Sequence, residues 1–111
     1  VKTYIGQAPH RVIVQLANGK VRELDPAFDL ANHSPTGFSW GYCGSGPAQL
    51  ALAILADVFR PRREYARRFY QEFKRRVIAA LPGDQDWELT EERVREVAMA
   101  IEADRYVASH P

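Results

Sequence analysis

The sequence predicts an α+β fold: a small N-terminal antiparallel sheet of about three strands, followed by three helices of which the central one is buried. Three observations predict it. Apolar residues alternate on either side of an Asn-Gly pair near the start of the chain, an almost wholly apolar run follows a glycine-rich turn at its middle, and two later stretches carry apolar residues at helical spacing. The 111 residues, 46% hydrophobic and 26% charged, have the composition of one globular domain, taken here as residues 1–111.

In "RVIVQLANGKVREL", Val12, Val14 and Leu16 alternate before Asn18-Gly19, and Val21 and Leu24 follow it. This predicts a β-hairpin closed by a type I′ turn, whose two positive φ angles suit Asn and Gly. "KTYIG" predicts a further, shorter strand, since two strands alone are marginal in water. From Asp25 to Gly46 the chain is dense in Pro, Gly, Asn, Asp and Ser, with Phe28, Leu30, Phe38, Trp40 and Tyr42 among them. It reads as a long ordered loop with one short strand near Phe38 to Tyr42, where aromatic residues alternate with small ones.

The stretch "WGYCGSGPAQLALAIL", Trp40 to Leu55, poses a choice between a phosphate cradle and a tightly packed helix start. A P-loop requires Lys and Ser or Thr after its last glycine, but Pro47 and Ala48 follow Gly46; a dinucleotide fingerprint requires a third glycine where Gln49 stands. The packing reading is favoured, with Ser45 as N-cap, Pro47 in the first turn, and Gly44 and Gly46 allowing a sharp turn and close contact. An anion held by the helix amides is the minor reading. Because "AQLALAILADVF" is apolar on nearly every face, this helix is expected to be buried.

"NHSPTGFSWGYCGSGPAQLALAILAD" (Asn32 to Asp57), "FYQEFKRRVIAALP" (Phe69 to Pro82), "WELT" (Trp87 to Thr90) and the "YIG" near the start together resemble the small bacterial and phage proteins of domain-of-unknown-function family 6166. The resemblance covers most of the chain. It implies no activity, cofactor or catalytic residue, and it makes a phage or mobile-element setting an expectation by analogy. One departure is Cys43, where the family carries another glycine, which argues against a shared nucleophile at that position.

In "RPRREYARRFYQEFKRRVIAAL", Tyr65, Ala66, Phe69, Phe73, Val77 and Ala80 fall on one helical stripe and predict its buried side. Arg60, Arg63, Arg67, Arg68, Lys74 and Arg75 fall around the opposite side, with Arg62 and Arg76 toward the stripe. From Arg60 to Arg76 eight basic residues face only Glu64 and Glu72, a balance of +6 in a chain whose net charge is +1, so the remainder carries −5. This basic face reads first as a solvated surface steadied by Glu64–Arg68 and Glu72–Arg76 pairs, and second as a contact for phosphates or an acidic partner. Tyr70, near the stripe's edge, is read as core rather than as a base-stacking platform.

Leu81-Pro82-Gly83 ends the second helix and "GDQDWELT" reads as a connector. Thr90 is expected to cap the third helix, with Glu91 and Glu92 in its first turn and Val94, Val97, Ala98 and Ile101 on its buried face. Trp87 and Leu89 would then pack back as a hydrophobic staple.

His33, Cys43 and Ser45 share one loop region, so hydrolase or transferase chemistry there is conceivable, but a Ser at a helix start is ordinarily a cap and a loop His ordinarily bonds backbone. No catalytic residue is assigned. His10, His33 and His110 lack any paired ligand spacing, so no metal and no cofactor are expected. The single cysteine excludes an internal disulfide and favours a reducing cytoplasm; no apolar run approaches membrane-spanning length, so no membrane partner is expected. The resulting expectation is a noncatalytic module that binds another protein, through the loop residues Asn32, His33, Phe38, Trp40 and Tyr42 or through the basic face. Nucleic-acid binding by the Arg60 to Arg76 helix is the alternative.

Overall fold

Tyr4, Val12, Val14, Trp87 and Leu89 stand at alternate positions of their strands and join the core cluster, which gives the sheet its core-facing side, while Ile13 is buried outside that cluster. In the computed structural model, which describes residues 1–110, the elements are β1 (Thr3–Gln7), β2 (Arg11–Gln15), β3 (Val21–Glu23), α1 (Ser45–Val58), α2 (Ala66–Arg76), β4 (Trp87–Thr90) and α3 (Glu91–Ser109). Short 3₁₀ turns at Arg63–Tyr65 and Ile78–Ala80 bracket α2. The four strands are ordered β3-β2-β1-β4, every neighbouring pair antiparallel. The α+β class is as the sequence predicts, with one strand more than expected.

The extra strand is β4. "WELT" is not a staple but the outer partner of β1, in register Tyr4↔Leu89 and Gly6↔Trp87. Trp87 determines what β1 can carry at Gly6: a Cβ there would lie 2.1 Å from the indole Nε1. The indole N–H has no hydrogen-bond partner among the described residues.

The hairpin turn also differs from expectation. Gly19 has φ +85° but Asn18 does not have positive φ; Gly19 N–H donates to the Leu16 carbonyl, and Leu16 N–H donates to the Lys20 carbonyl. That pattern is a type I turn followed by a left-handed glycine, the three-residue hairpin solution rather than type I′. Nor do Phe38 to Tyr42 form a strand. Positive φ angles at Gly37 and Gly41 interrupt extended geometry on both sides of Phe38 and Trp40.

Helix α1 is the centre of the molecule, with every residue from Gly46 to Val58 buried. It packs against α2 through Ala66, Phe69 and Phe73, while α3 contributes the predicted Val94, Val97, Ala98 and Ile101. The stripe predicted for α2 fails at its end. The chain leaves helical geometry at Val77 (φ −120°, ψ −59°), so Ile78 takes the buried place, Val77 is half-buried and Ala80 is exposed. Ser45 does not cap α1: Gly44 is the N-cap, without a side-chain bond, and Ser45 is the first helical residue. By contrast, the Thr90 hydroxyl accepts the Arg93 N–H as expected of a cap.

The Asp25 to Gly44 loop is held from inside by Gln49, which is fully buried on α1. Its Oε1 accepts the N–H groups of His33 (2.7 Å) and Ser34 (3.3 Å), and its Nε2 donates to the carbonyls of Pro26 (2.6 Å) and Ala31 (3.1 Å). One amide thus uses both ends to satisfy four backbone groups of a segment without strands of its own. Gln49→Leu, close in volume but unable to hydrogen-bond, should destabilise the fold by about 3 kcal/mol, because buried loop groups lose their partners. Urea unfolding of the two proteins measures the difference, and near-identical midpoints would show that the loop does not need this anchor.

Candidate functional site

The two ends of α1 open onto different surfaces. At its N-terminal end lie two adjoining clefts of about 310 and 380 Å³, both bordered by His10, Ser39 and Tyr42. Ser45 and Gly46 line the first cleft, and Trp40, Gly41 and Gly83 line the second. The wall between them is tightly fixed. A Cβ on Gly46 would fall 1.9 Å from Ser39 Oγ, and one on Gly41 would fall 2.8 Å from the Gly83 Cα. His10 Nδ1 donates to the Phe38 carbonyl at 3.2 Å, tying the β1–β2 turn to the same wall.

The aromatic residues of this loop divide. Phe38 and Trp40 are buried; Trp40 donates its indole N–H to the Gln85 carbonyl and meets Trp87 edge-on at 5.5 Å between centroids. Burial takes both off the surface. Tyr42 is 53% exposed, its hydroxyl 2.8 Å from Ser39 Oγ and its ring lying where a Cβ of Gly44 would stand. Asn32 is exposed, and His33 is half-buried with Nε2 sharing a 2.7 Å hydrogen bond with the Tyr70 hydroxyl. Tyr70 therefore braces the loop. No hydrogen bond joins His33 to Ser45 or to the exposed Cys43 among the described residues, so the imagined nucleophile and base are not assembled.

The C-terminal end of α1 carries Asp57, whose side chain is 2% exposed. Its Oδ2 accepts from the Tyr4 hydroxyl (2.6 Å) and Lys2 Nζ (3.0 Å), and its Oδ1 from Arg22 Nη2 (2.8 Å). Burial pushes the carboxyl pKa up, but the hydrogen bonds from Tyr4, Lys2 and Arg22 outweigh it and hold the group below the usual carboxylate range. Burial, and then the bond to Asp57, push the Tyr4 phenol far above its ordinary value. Tyr4 therefore stays neutral and acts as a donor. This cluster joins β1, β3 and α1 at one point.

The basic face is partly committed. Arg63 forms a fork-like pair with Asp29 (2.6 and 3.0 Å), and Arg67 donates to the Leu30 carbonyl through both Nε and Nη2. Both brace the loop. Arg68 lies over the rings of Tyr65 and Phe69, and Arg76 pairs with Asp104 and Glu72. The Glu72–Arg76 pair thus forms as predicted, whereas Glu64 and Arg68 form none among the described residues. Lys74 and Arg75 have no hydrogen bond or ion pair among the described residues, and Arg60 has only a 3.8 Å contact with Asp57.

Residues 4–100 match the model of a family of unknown function (DUF6166). The chain belongs to that family. No curated protein and no solved structure matches it. In this DUF6166 chain no helix among the described residues is long and apolar enough to cross a membrane, and no group of three or more His, Cys, Asp or Glu side chains among them could hold a metal ion.

Sequence reasoning missed Asp57, Lys2 and Arg22, although a lone carboxylate ending an apolar helix was a visible signal for a buried partner. The consequence is measurable. Asp57→Asn should cost about 3–5 kcal/mol at neutral pH, since it leaves buried donors facing an amide. Because the folded-state pKa is depressed, the charged-state stabilisation is complete above the unfolded value and fades as pH falls through that value toward the folded one. Denaturant unfolding at pH 7 and near pH 3 should therefore show the gap between wild type and variant narrowing in acid; a constant gap would mean that Asp57 does not fold as a carboxylate.

Proposed function

We propose that the protein is a noncatalytic binding module that recognises another protein through the surface around Tyr42, in the reducing cytoplasm where the exposed Cys43 remains a thiol. The observation that carries this reading is Tyr42 itself: a large aromatic ring, 53% exposed, on a loop whose backbone is pinned from beneath. Exposed tyrosines of this kind bind at small entropic cost, because the ring has few torsions to fix and the loop is ordered beforehand. The clefts on either side offer polar groups from His10, Ser39 and Thr36 to satisfy a partner's hydrogen bonds. The basic face is a weaker candidate, since Arg63 and Arg67 are spent on the loop and Arg76 on α3.

The sole cysteine lies next to Tyr42, which makes a direct test possible. A benzophenone attached to Cys43 should give one discrete protein adduct in extract of the source cell, while the same group on Gln15→Cys in a Cys43→Ser background should not. With the captured partner, Tyr42→Ala should lower affinity about tenfold or more without changing the unfolding midpoint. Absence of a position-specific adduct, or an affinity indifferent to Tyr42, would overturn the reading. Salt-steep binding of DNA or RNA that is lost when Lys74 and Arg75 are reversed would replace it with the nucleic-acid alternative.

A further inference from the structure

At the other end of α1, a cleft of about 350 Å³ is lined by Val58, Phe59, Arg60, Pro61, Arg62, Tyr65 and Arg95. Three of these seven residues are arginines and none is acidic. The turn that brings Arg60 and Arg62 to the same cleft is closed by the Arg62 N–H donating to the Phe59 carbonyl at 2.7 Å. Arg95 reaches in from α3, fixed by Glu91 (2.9 Å) and by the Val58 carbonyl (3.1 Å), with its guanidinium 5.3 Å from the centre of the Phe59 ring.

The local charge does not balance. Lys2, Arg22, Arg60, Arg62 and Arg95 gather around three carboxylates, Asp57, Glu91 and the Glu102 that accepts from the Tyr65 hydroxyl. Asp57 is already saturated by Tyr4, Lys2 and Arg22, so Arg60 is left at 3.8 Å from it as a surplus cation. The Arg62 side chain has no hydrogen bond or ion pair among the described residues, although it lines the cleft. The surplus positive charge of Arg60 and Arg62, beside the Arg95 Nη1 that Glu91 and the Val58 carbonyl leave uncommitted, suits an anion with several acceptor oxygens.

We propose that this cleft binds the phosphate group of a small phosphate monoester, with Arg60, Arg62 and Arg95 on the phosphate oxygens and Phe59, Pro61 and Tyr65 against the ester group. The apolar wall distinguishes this ligand from inorganic phosphate, which would leave it uncovered. The site lies at the opposite end of α1 from Tyr42 and stands or falls independently of the protein-binding reading.

The test is a nuclear magnetic resonance titration of the whole chain at low ionic strength, following arginine side-chain signals with phenyl phosphate and, separately, inorganic phosphate. Saturable shifts at Arg60, Arg62 and Arg95 are expected, with phenyl phosphate binding at least threefold more tightly. Arg62→Glu, at a side chain without partners in the fold, should weaken phenyl phosphate at least tenfold, and Arg75→Glu should leave it unchanged. Shifts that do not saturate, equal losses from both reversals, or inorganic phosphate binding as tightly as phenyl phosphate would each overturn the proposal.

Discussion

A helix buried on every side forces the rest of this fold. From Gly46 to Val58, α1 has no solvent-facing side, and its only polar side chains in that span are Gln49 and Asp57. Neither can be left without partners in the interior, where an unpaired amide costs a few kcal/mol and an unpaired carboxylate more. Each therefore gathers chain around it. Gln49 collects four backbone groups of the loop, and Asp57 collects the ends of β1 and β3.

The two clusters do different physical work on one rod. Gln49 supplies neutral hydrogen bonds to a segment that cannot make its own, so it replaces a strand with side-chain geometry. Asp57 neutralises cations at the helix end whose carbonyls already carry partial negative charge, an unfavourable place for a carboxylate unless cations surround it. Lys2 and Arg22 meet that requirement from the sheet. The cations that exceed it, Arg60 above all, face the neighbouring cleft. Loop order at one end and positive potential at the other both follow from how a buried helix disposes of its polar residues.

What the sequence made legible was governed by distance along the chain. The buried face of α3, the cap at Thr90 and the burial of α1 are local periodicities and are as expected. Strand β4 was not legible, because its four residues acquire their meaning from β1, in the register Thr3↔Thr90. The aromatic alternation at Phe38, Trp40 and Tyr42 reads as one face of a strand, but there is no strand and the three do not share a face. Gly37 and Gly41 turn the backbone, so Phe38 and Trp40 enter the core and Tyr42 leaves it. Of the candidate loop residues, Asn32 and Tyr42 are exposed; of the basic ones, Arg63 and Arg67 are hydrogen-bonded to the loop. The cleft formed by Arg60, Arg62 and Arg95 joins the turn after α1 to α3, a meeting that no local pattern announces.

Helix α3 outlasts the domain that it caps. Ile101 is its last buried residue, the helix continues to Ser109, and the family match ends at residue 100. Eight further helical residues carry the chain roughly 12 Å beyond that buried residue, and Arg105 over the Phe69 ring together with the Asp104–Arg76 pair still ties them to α2. A reporter or a fused domain joined at this end would follow a helix braced along α2, so its direction relative to the core would be set by the fold rather than by a flexible tether.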